Sequence, residues 1–485
     1  MTVKESSLNT NNGLKSFALL AALFLLLSWF RLDPGSEGSS DLTASSGDPA
    51  AEAADEVDDV VGPEGDRQGP DAVGGDSTTQ RNAAARAGLE CKPGRNGGAT
   101  DKGVSAGRIR LATTAVLDGA ARSLLEDSVT GMKAVIDKVN KSGGICGRIL
   151  DLRVVNDSFD KARGQAIIKN FIAEDVFALP VVPSAEGLGA AILSGDIKKA
   201  GIPVVGTDGL RQEQYSDPYV WPVASATVTA MRVMAKYGAT TRQAKTFGIV
   251  WDDKYQFGRE GADAFKEQVR KMGHKVVADR SLDPARVSYS NEAKQFSDDC
   301  AAAGGCEMVA MLLLPDTAKQ WLVKRPAMGT KYTAGAQTLF TERFAQDCVL
   351  QTGDQCNGFA VWTGYNPPIG PLATLPGVAA YENDVTALKP SIDVNNQFVE
   401  GAYLGMSLFV DALRKVGPDL TRARLQAVLD ATDLKTDLAS QLSWRPNNHA
   451  ANVRSQSFSM SVNQGAFRGW SNENTGFLLD PAHGG

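Results

Sequence analysis

Side chains able to do chemistry are plentiful in this sequence, but they form no catalytic pattern. The three histidines, His274, His449 and His483, stand apart from one another and from obvious partners. Each reads as a satisfied or surface imidazole rather than a metal ligand or a general base. No G-x-S-x-G elbow, phosphate-binding loop or H-E-x-x-H run occurs, so nucleophilic, nucleotide and zinc-protease chemistry lack their usual parts. No G-x-G-x-x-G follows the first strand, which leaves a dinucleotide site without support. Carboxylates are common, yet no spacing selects an acid–base pair; Asp252-Asp253 suits a turn or cap. Neither a cofactor nor a metal is expected, and the chain does not read as an enzyme.

The six cysteines are Cys91, Cys146, Cys300, Cys306, Cys348 and Cys356. They lack C-x₂-C spacing, and an even count in an oxidising compartment suits disulfides. Local spacing favours Cys300–Cys306 and Cys348–Cys356, each across a short glycine-containing turn. Cys91 and Cys146 are left for each other.

What remains is recognition, and it depends on how the chain is folded. Val129, Met132, Val135, Ile136 and Val139 recur three or four apart, the period of one buried helix face. Ile149 to Val155 alternates and is rich in β-branched residues, as strands are. Between them, Ser142-Gly-Gly-Ile-Cys-Gly-Arg148 ends the helix, where glycine tolerates positive φ. This helix–turn–strand beat repeats. Strands are expected at 108–114, 149–157, 176–182 and 202–206, with helices at 124–141, 161–173 and 185–200. A second run has strands at 246–251, 274–278, 307–314 and 331–335. Its helices are at 227–237, 258–273, 291–303 and 317–324. Segments 359–363, 398–416, 420–431 and 455–462 follow. Strands alternating with helices give parallel sheets covered on both faces. The expectation is therefore α/β, with two doubly wound parallel-sheet lobes between which the chain crosses more than once; the multi-strand hinge is what the family resemblance given below adds. Residues 91–223 plus 361–435 form lobe 1, residues 224–360 plus 436–470 form lobe 2, and 471–485 are a C-terminal tail.

Ahead of the lobes the composition changes. Ser16 to Phe30 is apolar apart from two serines and follows Lys15. Residues 1–32 therefore read as a membrane anchor or a cleaved signal peptide. Residues 33–90 are rich in Ala, Gly, Asp, Ser and Pro and read as a disordered acidic linker. From Arg31 to Glu90 there are 14 acidic and 4 basic residues, so the net charge of −6 leaves the lobes at about +3. That near-neutrality gives no basic patch and argues against nucleic acid. Both N-terminal readings put the lobes outside the cytoplasmic membrane, anchored or secreted.

In open α/β sheets, ligands sit beyond the carboxyl ends of the strands. The residues there are Leu117 and Asp118, then Ser184, Ala185 and Glu186, then Thr207 and Asp208. Lobe 2 contributes Tyr255, Phe257, Pro315, Asp316 and Gln337. Ser184 precedes a helix, whose free N–H groups and dipole suit a carboxylate; its hydroxyl also suits a plain N-cap. Thr207 and Asp208 could accept an ammonium or a sugar hydroxyl, or simply make a turn. Tyr255 and Phe257 suit a cleft wall.

These segments resemble the type I periplasmic solute-binding proteins, in the branched-chain amino-acid-binding group. The resemblance runs from about Gly97 to Val462. It is carried by Asn96 to Val104, Val139-Asn140, Gly143 to Arg148, Asn156-Asp-Ser-Phe-Asp160, Ile202 to Val205 and Phe257-Gly258. It implies two lobes that swing about a three-strand hinge and close on a small polar ligand: an amino acid, an amide or a related carboxylate. It implies delivery to an ABC-type permease; a membrane-tethered sensor with a signalling partner is the alternative. It also implies a carboxylate grip at the Ser184 loop and an ammonium contact near Thr207 and Asp208. Phe257 stands where family members often carry tyrosine. Gln337 stands near an acidic position of amino-acid binders, and a neutral amide there answers an ammonium less well. No lipid-anchor cysteine is present near the N-terminus.

Overall fold

The computed structural model describes residues 89–484, apart from 325, 329, 451, 474 and 475. The N-terminal apolar segment and nearly all of the acidic linker lie outside the described residues. No helix among the described residues is long and apolar enough to cross a membrane.

The first lobe is built on strands β1 (Arg108–Ala115), β2 (Ile149–Asn156), β3 (Leu179–Pro180), β4 (Val204–Thr207) and β5 (Val220–Pro222). They lie in the order β2-β1-β3-β4-β5, all parallel, with a bridge from Leu111 to Ala178 joining β1 to the β3 segment. Helices α1 (Arg122–Leu125), α2 (Ser128–Lys141), α3 (Lys161–Ala173), α4 (Ala185–Leu193) and α5 (Asp196–Ala200) connect them. The turn between α2 and β2 has the expected backbone: Gly143 and Gly144 have φ of 95° and 73°.

The second lobe begins with α6 (Thr227–Thr240). It continues with β6 (Thr246–Asp252), α7 (Gln256–Lys271), β7 (Lys275–Leu282), α8 (Ser290–Ala302), β8 (Met308–Leu312), α9 (Pro315–Val323), β9 (Tyr332–Gly335), α10 (Glu342–Thr352) and β10 (Ala360–Thr363). The chain returns to the first lobe through α11 (Pro376–Leu388), α12 (Gln397–Val416) and α13 (Arg422–Asp430), then the short pair β11 (Asp433–Leu434) and β12 (Leu442–Ser443). It crosses once more into β13 (Arg454–Asn463), β14 (Ala466–Asn472) and β15 (Leu478–Leu479). The second sheet runs β7-β6-β8-β9-β10-β13-β14, with β13 and β14 antiparallel to their neighbours. The fold is therefore two parallel-dominated α/β lobes with multiple crossings, as the periodicity indicated. The three disulfides pair Cys91 with Cys146, Cys300 with Cys306 and Cys348 with Cys356.

Several elements differ from expectation. The helix expected over 124–141 divides into α1 and α2, and the one over 185–200 divides at Gly195, whose φ is 75°. The strand expected over 176–182 narrows to two residues. Pro180 has no N–H to donate, and Val181 takes a φ of 47°. Helices α10 and α11 and strands β5 and β14 lie outside the expected set. At the lobe boundaries, Val361 to Thr363 pair within the second sheet, whereas Leu438, Leu442 and Trp444 bury into the first lobe's core. Near the C-terminus, residues 478–480 are docked. Strand β15 pairs with β13, and the buried Asp480 carboxylate accepts from Thr229 Oγ1 at 2.8 Å and Arg232 at 3.2 Å.

Helix α12 is the keel of the first lobe. Its N-cap Asn396 accepts from the N–H of Phe398 at 3.0 Å, and nearly all its first fourteen residues are buried. It presses against β4 where Gly405 faces Gly206; a Cβ on Gly405 would stand 2.6 Å from the Gly206 carbonyl oxygen. Both positions require a hydrogen for a side chain.

The C-terminal clasp gives a test. Asp480→Ala leaves the Thr229 hydroxyl and Arg232 without their shared acceptor, at a cost of about 2 kcal/mol. Urea or thermal unfolding should show this loss; unchanged stability would contradict the described packing.

Candidate functional site

The loops that leave the carboxyl ends of both sheets meet between the lobes. On the first lobe, the turn after β2 carries Asp157, whose Oδ1 accepts from the N–H of Phe159 at 3.0 Å. Ser158 and Phe159 both take φ of 58°, and Phe159 is buried. After β3, Ser184 is the N-cap residue of α4, but its hydroxyl caps nothing; it is buried and faces the Asp157 carboxyl, whose charged form it favours. After β4, Thr207 donates to Gln214 Oε1 at 2.6 Å. Asp208 accepts through Oδ1 from Leu210 N–H and Gln214 Nε2, each at 3.2 Å; its Oδ2 is buried and unpartnered.

On the second lobe, Tyr255 and Phe257 open α7 and are buried, their rings stacked 5.7 Å apart. Asp252, at the end of β6, accepts from the N–H of Leu314 at 2.6 Å and fixes the loop after β8. Gln337 is buried after β9 and donates to Thr227 Oγ1 at 3.0 Å.

Not every expected residue joins this meeting point. Leu117 is 44 % exposed, and its N–H bonds to Asn156. Asp118 is exposed as well; hydrogen bonds from Ser158 and Asn156 hold its carboxyl below the usual range. Asp316 turns away to pair with Arg343 at 3.5 Å, and Pro315 serves as the first residue of α9. The residues brought together are Ser184, Ala185, Glu186, Thr207, Asp208, Tyr255, Phe257 and Gln337. The sequence reading missed Phe159, Arg211 and Glu260. Phe159 had a signal, since it lies in the strand-end run that carried the family resemblance. Arg211 had none, because its partners are distant in sequence.

A gap between the lobes was expected, and the faces instead pack together. Phe159 meets Tyr255 edge to face at a centroid distance of 5.0 Å. Val116, Leu125, Ala185 and Leu210 of the first lobe share one apolar cluster with Phe257, Leu314 and Ala336 of the second. The side chains themselves fill the seam. On the first-lobe side of the seam lies a cavity of about 10 Å³, room for about one water. It is lined by Ser128, Pro183, Asp208, Tyr365, Gln397 and Phe398, among others. A wider groove of about 550 Å³ runs outside the seam and draws residues from both lobes, including Lys161, Glu186, Arg211, Lys254 and Arg259.

Burial shapes the charges here. It pushes the Asp208 carboxyl up to about 7, although hydrogen bonds from Leu210 and Gln214 oppose the shift. It also raises Glu186, opposed chiefly by Arg211, and raises Glu260, opposed by the N–H of Gln212. Glu400, fully buried on α12, is raised well above the carboxylate range.

The segments that cross between lobes lie side by side. Ser225 pairs with Asn452, and Tyr365 pairs with Ala439. Asn452 Nδ2 donates to the carbonyl of Gly364 at 3.0 Å, while its Oδ1 accepts from Ser440 Oγ at 2.7 Å. Gln456 Nε2 donates to the Tyr365 carbonyl at 2.6 Å.

Two α/β lobes, strand ends facing one another and adjacent crossing segments define the hinged binding-protein architecture. The chain belongs to the periplasmic binding protein family, whose sequence profile matches residues 108–466. Solved structures share the type I fold. A fatty acid ABC transporter substrate-binding protein from Thermomonospora curvata is 15 % identical, with 77 % of this chain and 93 % of that one covered and a TM-score of 0.64. The branched-chain amino acid transporter substrate-binding protein from Streptococcus pneumoniae, in complex with isoleucine, is 15 % identical, with 75 % and 99 % covered and a TM-score of 0.62. An ABC transporter substrate-binding protein from Sphaerobacter thermophilus is 16 % identical, with 77 % and 98 % covered and a TM-score of 0.64. No curated protein matches the chain by sequence.

The Asp208 carboxyl gives a pH test. Its folded value, about 7, lies above the ordinary 3.8, so the folded state holds the proton more tightly. The associated stability is fully present below about pH 4 and is lost as pH rises through about 7. Asp208→Asn should flatten the fall in unfolding free energy across this window, read from urea titrations at several pH values. An identical slope in the variant would show that Asp208 does not titrate in this way.

Proposed function

We propose that this protein captures a small organic ligand between its lobes, outside the cytoplasmic membrane, and delivers it to an ABC importer. The observation that carries this reading is the set of adjacent crossing segments at Ser225, Gly364 and Asn452, about which, in this reading, two facing sets of strand ends part and close. Opening and closing then form a two-state equilibrium, and a ligand that bridges both faces shifts it toward closure. Family membership and the three disulfides support an extracytoplasmic placement.

The ligand site in this reading is the seam itself, with Phe159, Tyr255 and Phe257 as an apolar wall. Ser184 offers a buried hydroxyl, shared with Asp157, beside the free N–H groups at the start of α4, suited to an acceptor group. Asp208 offers an unpartnered oxygen to a donor group. Gln337 contributes a neutral amide from the second lobe. An amino acid, an amide or a related carboxylate with an apolar body suits this mixture. A structural neighbour in complex with isoleucine and another that is a fatty acid ABC transporter substrate-binding protein motivate the first choices.

A thermal-shift panel of branched-chain amino acids, their amides, fatty acids and sugars tests the proposal. A true ligand should raise the melting temperature in a concentration-dependent way, and a 100-fold excess over Kd should add about 2.7 kcal/mol. Ser184→Ala and Asp208→Ala should each weaken the response about tenfold or more, the loss expected for a ligand hydrogen bond of about 1.4 kcal/mol. A ligand whose shift survives both substitutions unchanged would refute the site.

A further inference from the structure

Beyond the apolar seam, charged groups exchange partners between the lobes. Glu186, in the first turn of α4, accepts through Oε1 from the N–H of Gln256 at 3.2 Å. Gln256 is the first residue of α7 on the opposite lobe, and such an N–H has no partner within its own helix. A carboxylate there satisfies it and meets the positive end of the helix dipole. The reverse contact also exists. Glu260, one turn along α7, accepts from the N–H of Gln212 on the first lobe at 3.1 Å.

Arg211 stands between the two. Its guanidinium donates to Glu186 Oε2 at 3.1 Å, pairs with Glu213 on its own lobe, and places Nε 3.9 Å from Glu260 Oε1. The side chains of Arg211, Glu186 and Glu260 are 4 %, 8 % and 16 % exposed. Water screens such charges little, so each lobe gives the other groups that lose their partners when the lobes part.

We propose that Glu186, Arg211 and Glu260 form an interlobe latch that holds the closed arrangement without any ligand. Ligand entry then requires the latch to break, and apparent affinity is reduced by the small fraction of open protein. The inference rests on the hinged two-lobe reading above and is independent of which ligand is carried.

Hydrogen–deuterium exchange on the ligand-free full chain tests it. In the unaltered protein, peptides covering 210–215 and 253–260 should exchange slowly. Glu186→Gln combined with Glu260→Gln should speed both regions about tenfold or more, and also the turn around Phe159, while β1 and β8 keep their protection. Glu260→Gln alone leaves Arg211 with Glu186 and Glu213, so it retains a partnered guanidinium; it should shift the 210–215 peptide in the same direction. Small-angle scattering should report a larger radius of gyration for the double variant. Two results would overturn the latch: rapid exchange of both peptides in the unaltered protein with its strands protected, or no acceleration in either variant. A ligand panel that gave no thermal shift would count against the transport reading and leave this result standing.

Discussion

Asn452 holds together a structure that the chain's path makes difficult. The polypeptide leaves each lobe before completing it, so separate crossing segments must lie next to one another. Each has backbone groups that need partners, and a buried unpaired group costs as much as a lost hydrogen bond. Asn452 answers this with one side chain: its amide donates to Gly364, and its oxygen accepts from Ser440. Ser225, beside it, completes the contact. These hydrogen bonds tie the crossing segments to one another.

The seam then sets the character of the protein. Apolar side chains from both faces bury one another, and apolar surface buried this way contributes about 25 cal/mol per Å². Parting the lobes exposes that surface, so closure has its own driving force. Under the proposed function, a ligand entering the seam would displace some of these contacts, Phe159 against Tyr255 among them.

Much of the fold was legible because its signals are local. Gly143 and Gly144 announced a left-handed turn, and that turn depends on few neighbours; a Cβ on Gly144 would collide with the carbonyl of Arg148 nearby. The helix face at Met132, Val135, Ile136 and Val139 was legible for the same reason, since 3.6-residue spacing needs no tertiary information. The spacing-based cysteine pairing agrees with the structure too. The candidate site was legible only where loop position decides it. Ser184, Asp208, Tyr255 and Phe257 follow from strand ends. Leu117 and Asp118 share that position but turn outward, because Asn156 ties their loop down. Arg211 and Glu260 were invisible, since their meaning arises from residues on different lobes. The broken helices, the misplaced 361–363 boundary and the clasped C-terminus all reflect tertiary contacts overriding local preference.

The entry point of the lobes has a mechanical consequence. Arg148 is fully buried, and its guanidinium binds the backbone carbonyls of Asn96, Gly98, Ser105 and Pro418. Beside it, Cys91 is bonded to Cys146. Both fastenings lie at the glycine turn before β2, on the end of the first sheet away from the strand ends that face the other lobe. A force applied upstream of Cys91 would enter the first lobe at a covalent rivet and a four-carbonyl socket, ahead of any strand of the sheet.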